Sequence, residues 1–380
     1  MFDVRVESNF DFLSAEYGNL FASAQASPFQ HPLWLSGLYR QLLPALRAEP
    51  LVITVRAADG RLALVLPLIK RRYGGLRVVE FADLGVSDYA CPVGSDADFS
   101  VILGDKRVPK EILKALTPFD NLRIQKLRDG SHLIERLVGA RDREPMLMSA
   151  HAVALDSNYE TWRGEKISAS YRKELDKKSR QLQRKGRIVF SCATDPEAIK
   201  STFYKMQEYR RPRFEHRGDG DILQKQVYFD FYLDIAVQGC GTLSRLYSLT
   251  LDDCPIAGVM GLAHQGKLLV ILGGFDHVNF KNQSIGSLMF QEVARHCIEA
   301  GDSELDFTIG DEPYKSLFGA VASPISQISR AGSSVGAIAG LIVEQVPWIR
   351  TIAKRLMPAH RAGADGSQSI STSRTASKTW

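Results

Sequence analysis

Residues 243–275 read LSRLYSLTLDDCPIAGVMGLAHQGKLLVILGGF. Three runs rich in apolar and β-branched residues, 243–251, 255–263 and 267–275, are separated by Asp252-Asp253 and Gln265-Gly266, pairs that tolerate tight turns. Short strands joined by tight turns can only pair with their immediate neighbours, so this stretch predicts an antiparallel meander.

Working outward, residues 285–300 place Ile285, Leu288, Met289, Val293, Cys297 and Ala300 close to a 3.6-residue period, with Gly301 as the stop. This is a helix with one apolar face. A strand over 304–309, a short helix over 314–318 and a strand over 325–330 follow. Before the meander come a helix over 168–184, a strand over 187–192, a helix opened by Asp195-Pro196-Glu197 and running to about 210, and a second helical pattern over 222–237. The first half repeats this order: strands at 2–7, 51–57, 62–70, 76–81, 121–126 and about 146–155, and helices at 10–24, 32–43, 106–116 and 131–138. A repeated supersecondary order predicts two mixed α/β domains, 1–155 and 156–332. Residues 333–357 alternate apolar runs with Arg350, Lys354 and Arg355 as an amphipathic helix that either packs on the domain or touches a membrane surface. The Ala, Gly, Ser, Thr and Arg of 358–380 read as a disordered tail.

The composition of the 380 residues, 44% hydrophobic and 24% charged, belongs to a globular chain with a sizeable core. A net charge of +5 favours anionic ligands without demanding nucleic acid, and DNA is not expected. Cys91, Cys192, Cys240, Cys254 and Cys297 stand singly, which excludes a disulfide framework and gives no metal-ligand spacing; Cys297 reads as core. No secretory leader or uninterrupted apolar span is evident, so a cytoplasmic setting is expected.

The segment from Asp306 to Gly319, DFTIGDEPYKSLFG, resembles the hallmark of the CelD/BcsL-type acetyltransferases of the GNAT superfamily, and Phe29 to Leu35 (FQHPLWL) and Leu66-Pro67-Leu68 resemble that group's first-domain segments. The group is similar to the FemAB peptidyltransferases, which share a motif like Tyr314-Lys315 with Phe318-Gly319. The resemblance implies an α/β fold of two tandem GNAT-like (acyl-CoA N-acyltransferase) domains with mixed, mainly antiparallel sheets. It also implies acetyl-CoA or another acyl-CoA as co-substrate, with no metal, and a link to cellulose or exopolysaccharide production. In that frame Gln283, Ser284, Ile285, Gly286 and Ser287 form the donor loop, where helix N-terminal amides meet a pyrophosphate, although the loop retains one glycine of the superfamily's two.

Direct acyl transfer needs a base for the acceptor's proton and a donor for the oxyanion. Glu312 or Asp311 is the candidate base and Lys315 the candidate oxyanion partner; a plain helix start, with Asp311 as cap and Lys315 solvated, is the competing reading. Asp88, Tyr89, Arg213, Phe214 and Tyr314 are candidate contacts to a small-molecule or saccharide acceptor held between the halves. Lys173, Lys177, Arg180 and Arg184 line one face of the 168–184 helix, either as a merely solvated face or as a seat for an anionic ligand. Two alternatives stay open: aminoacyl transfer from tRNA in the FemAB manner, and a non-catalytic binding or scaffold protein of a polysaccharide-synthesis complex.

Overall fold

A computed structural model describes the backbone of residues 2–128, 134–140, 143–215 and 221–337, and the side chains of these except 213–215. The beginning of the helix expected at 131–138, the body of the helix at 333–357 and the tail at 358–380 lie outside the described residues.

In chain order the first half comprises β1 (Asp3–Glu7), α1 (Ala15–Ser23), α2 (Pro32–Gly37) with a π-helical turn at Leu38–Leu42, α3 (Leu43–Ala45), β2 (Glu49–Arg56), β3 (Leu62–Tyr73), β4 (Leu76–Phe81), β5 (Val93–Gly94), α4 (Asp96–Gly104), α5 (Arg107–Leu116), β6 (Asn121–Arg128), α6 (Ile134–Val138) and β7 (Glu144–Ala154). The second comprises α7 (Tyr159–Lys166), α8 (Ala169–Gln183), β8 (Ile188–Cys192), α9 (Pro196–Glu215), α10 (Gln226–Gln238), β9 (Ser244–Leu251), β10 (Cys254–His264), β11 (Lys267–Phe275), α11 (Ile285–Glu299), β12 (Glu304–Ile309), α12 (Pro313–Leu317) and β13 (Val321–Ala331). The expected meander is present, and β11 and β12 have the expected bounds. Helix starts follow their caps: Ser168 Oγ accepts from Tyr171 N in α8, and Asp195 Oδ1 accepts from Ala198 N in α9.

All strands belong to one sheet of order β1-β2-β3-β4-β6-β13-β7-β12-β11-β10-β9-β8, with β5 paired to β3. The two halves exchange their last strands. β7, from the first half, pairs antiparallel with β12, while β13, from the second, pairs with β6; β7 and β13 pair with each other at the centre. In each half one parallel pair, β4 with β6 and β11 with β12, interrupts an otherwise antiparallel ladder.

One apolar core is shared by the halves. Trp34, fully buried on α2, meets Phe231 of α10 edge-to-face at 5.0 Å, and Tyr228 OH donates to Leu84 O across the same seam at 3.0 Å. Separate cores back each half, one around Ile112 and Leu122, the other around Trp162 and Met289, where Cys297 is buried as expected. Gly273-Gly274, read as a bulge or a close approach, is the latter: a Cβ at Gly274 would stand 2.6 Å from Met206 Cα of α9. The register slip instead falls one step earlier, where Met260 faces Leu272 and Gly261 faces Val270.

The seam also holds two histidines in apolar surroundings. Burial, with His264 adding repulsion, lowers the His31 imidazole to about 4, and burial lowers that of His264. Phe21 lies against both rings, at 5.3 and 4.7 Å. Because the folded values lie below the unfolded value near 6.5, the unfolded chain binds protons first as the solution is acidified. Stability is therefore complete above about pH 6.5 and declines toward pH 4, by about 2–3 kcal/mol for His31. Urea unfolding at pH 7.5 and 4.5 measures this, and in His31→Asn the pH dependence is expected to shrink.

Candidate active site

The site grows from two matching irregularities. In the first half β4 and β6 pair only from Val78↔Asn121 to Glu80↔Arg123, and in the second β11 and β12 pair only from Lys267↔Glu304 to Leu269↔Asp306. Beyond these points each pair of strands parts into a wedge. β6 and β12 also carry one left-handed residue each, Lys126 (φ 61) and Thr308 (φ 57), where the register against the exchanged strand slips. A bulge of this kind bends the strand and re-aims its side chains.

The first wedge is filled by the chain that follows β4. Ala90 N donates to Lys126 O at 3.1 Å, the buried Lys126 Nζ donates to Ser87 O at 2.6 Å, and Trp34 Nε1 donates to Ser87 Oγ at 3.0 Å. Lys126 also pairs with Asp83 at 2.9 Å and Asp88 at 3.9 Å. Burial pulls its ammonium down, and the two carboxylates outweigh that and raise it.

Beside the second wedge Phe275, Phe290, Phe307 and Tyr314 pack as one aromatic cluster, with Phe290 and Tyr314 stacked at 5.0 Å. Phe275 and Tyr314 remain partly exposed. Thr308 Oγ1 donates to Val270 O at 3.1 Å where the wedge begins. At the mouth stands the start of α11: Ser284 is left-handed (φ 52), and its side chain caps none of the first-turn amides. Gly286 faces the Phe275 ring, at 3.6 Å from an added Cβ, which is ordinary contact. Gln283, Ser284, Gly286 and Ser287 are partly exposed and Ile285 is buried, so the donor-loop residues are gathered at one mouth.

Lys315 and Glu312, expected as oxyanion partner and base, form a buried ion pair at 2.8 Å, with side chains 2% and 3% exposed. Lys315 Nζ also donates to Gly310 O at 2.9 Å and Thr308 O at 3.2 Å. Three oxygens thus occupy the ammonium, and it clamps the turn between β12 and α12. Glu312 lacks the exposure to meet an acceptor; burial and pairing overrule its expected role. The solvated-lysine reading fails as well. Asp311 lies apart, half-exposed, with His151 Nε2 at 3.0 Å; burial pushes its carboxyl up, but His151 and the Ser149 amide hold it below the usual range.

Tyr89 is buried, and its hydroxyl donates to Asp306 at 2.9 Å, with Arg128 over its ring at 4.7 Å and bonded to Asp306 Oδ2 at 3.0 Å. Its expected substrate contact gives way to this bond between the halves. Asp306 itself is fully buried; burial raises its carboxyl, against the pull of Arg128. Asp88, in contrast, is 23% exposed at its side chain and faces Lys126, Thr308 and Lys315. Burial raises its carboxyl, while Lys126, the Thr308 hydroxyl and Lys315 oppose the rise. The chain that fills the first wedge thus sets a partly exposed carboxylate beside Thr308, near where β11 and β12 cease to pair.

Arg213 and Phe214 lie at the end of α9, their side chains outside those described. One turn earlier Arg210 grips the buried Asp221 through two nitrogens, at 2.7 and 2.8 Å, and donates to Gly273 O at 2.7 Å, so α9 is anchored on β11. Among the described residues no group of three metal-type side chains gathers, and no helix is long and apolar enough to cross a membrane.

Residues 169–316 match the family model described as acetyltransferase (GNAT) domain. The segment from α8 to α12 is thus similar to that domain, within a chain whose fold is α/β with a mixed, mostly antiparallel sheet. Among solved structures it is similar to L-PGS from Bacillus licheniformis (12% identity, 92% of this chain and 98% of that one, TM-score 0.55). It is also similar to the C-terminal domain of a putative lysylphosphatidylglycerol synthetase from Agrobacterium fabrum (12% identity, 86% and 95%, TM-score 0.53) and to FemX (13%, 76% and 90%, TM-score 0.52). At these identities the likeness is one of fold. No curated protein matches the chain.

Proposed function

We propose that the chain is an acyltransferase that moves an acetyl or other acyl group from a pantetheine thioester, such as acyl-CoA, to an amine or hydroxyl acceptor in the cleft between its halves. The observation that carries this reading is the second wedge: two strands that cease to pair, uncapped helix amides at the start of α11 and the Asp88 carboxylate beside Thr308. Asp88 takes the acceptor's proton as its nitrogen or oxygen bonds to the acyl carbon. The carbon–sulfur bond breaks, and the proton passes to the departing thiolate. The basic lining near Asp88 comes from Lys126 and Lys315, which oppose the rise that burial gives its carboxyl. A role in cellulose or exopolysaccharide production rests on the sequence resemblance alone.

Calorimetric titration with acetyl-CoA tests the reading. Saturable binding is expected, weakened by more than about 100-fold in Gly286→Trp, whose indole occupies the mouth beside Phe275. Equal affinity in wild type and variant sinks this placement of the donor. Saturable binding of aminoacyl-tRNA, with none of acetyl-CoA, replaces the reading with aminoacyl transfer.

A further inference from the structure

Basic charge is concentrated in one element of this molecule. Residues 169–187 hold eight Lys and Arg against Glu174 and Asp176, a net of +6, which exceeds the +5 of the whole chain. Among them Lys173, Lys177, Arg180 and Arg184 are all exposed, at intervals of four, three and four residues. Those intervals align them on the outward side of α8, opposite the buried Leu175 and Leu182, in a row about 16 Å long.

The rest of α8 ties this row to the donor mouth. Tyr171 lies beside Ser287 in the first turn of α11, Lys178 Nζ donates to Asn282 O, and Lys185, just past the helix, lies 5.5 Å over the Phe280 ring. Three residues seven apart thus run beside the loop from Phe280 to Ser287, and whatever settles on the outer side of α8 rests one helix diameter, about 10 Å, from the wedge.

We infer that α8 docks an acidic acyl carrier protein, which feeds its acyl-phosphopantetheine arm into the second wedge. The inference rests on the acyl-transfer reading and names the source of its thioester. A phosphopantetheine thioester comes either from free CoA or from a carrier protein; a row of about 16 Å is far longer than one pyrophosphate and calls for a macromolecule. Carboxylates on a partner helix repeat at the same three- and four-residue intervals, so two rows match rung for rung. The outward side of α8 offers no aromatic ring for base stacking, which disfavours single-stranded nucleic acid. Its apolar side is buried in the protein, which leaves it nothing to insert into a bilayer. Val278, 73% exposed and two residues from Phe280, adds an apolar foothold of the kind protein interfaces use.

The test is fluorescence anisotropy of labelled acetyl-acyl carrier protein against the full chain and against the quadruple variant Lys173→Glu, Lys177→Glu, Arg180→Glu, Arg184→Glu. All four side chains are exposed, so an unchanged circular dichroism melt is expected. Wild type is expected to bind, more weakly as salt rises, and the variant to bind roughly 30-fold less tightly. Acetyl-CoA titration of the same two proteins is expected to agree within about threefold, and loss of acetyl-CoA binding in both would strike the acyl-transfer reading and leave the docking result standing. The docking inference is overturned if the carrier protein does not bind, if it binds both proteins equally, or if unfractionated tRNA or phosphatidylglycerol vesicles bind more tightly than the carrier through these four residues.

Discussion

Lys315→Met is expected to lower the free energy of unfolding by about 3–5 kcal/mol. The substitution keeps most of the volume but removes the ammonium that faces Glu312 at 2.8 Å and the carbonyls of Gly310 and Thr308. A buried carboxylate left without its partner carries the full cost of desolvation. The turn cannot relax easily: Gly310 sits at φ 129, and a Cβ there would stand 2.6 Å from Glu312 Oε2. The double variant Lys315→Met with Glu312→Leu removes both charges and is expected to recover most of the loss. Urea unfolding of the three proteins decides the matter. If Lys315→Met unfolds with the wild type and only transfer is lost, the lysine is a direct participant, as its motif suggests.

That contrast marks where sequence reading stops. The apolar runs and turn pairs of 243–275 and the 3.6-residue period of 285–300 are local, and the strands and helix follow them closely. α4 and α7 escaped notice although their signals are present: Ser95 caps a first turn holding Asp96 and Asp98, and Asn158 caps another holding Glu160. β5 has only two residues, too few to show any period. Strand exchange left no trace, because β7 and β13 have the same inward and outward alternation whichever half they complete.

The site was legible in part for the same reason. Asp306 and Lys126 are charged residues inside strands that are otherwise largely buried, and such residues demand partners. Which partners they find, Tyr89 and Arg128 for one, Asp83 and Asp88 for the other, depends on the loop after β4 filling its own wedge. The sequence marks Asp88 only as a residue near the cleft. Its distinction from Glu312 is a matter of exposure, 23% against 3% at the side chain, and exposure is decided by contacts between halves.

Asp88→Asn is expected to slow acyl transfer by about 10²–10⁴-fold, the range lost with a general base. With acetyl-CoA as donor, the wild-type rate of CoA release is expected to rise with pH through the elevated value of Asp88 and then level; the variant's profile is flat there. Hydroxylamine, a nucleophile already unprotonated near neutral pH, needs no base and is expected to restore most of the variant's turnover. Stability supplies an independent check with the opposite sign from Lys315. Because burial raises the Asp88 carboxyl above its unfolded value, folding takes up a proton, and stability falls as pH rises through that elevated value. Once ionised, Asp88 is therefore a cost to the fold, and asparagine removes it while Lys126 keeps Asp83 at 2.9 Å. A variant at least as stable as wild type yet nearly inactive is what a carboxylate held in an unfavourable state for chemistry predicts. Turnover within threefold of wild type, or loss of stability in step with loss of rate, places the base elsewhere.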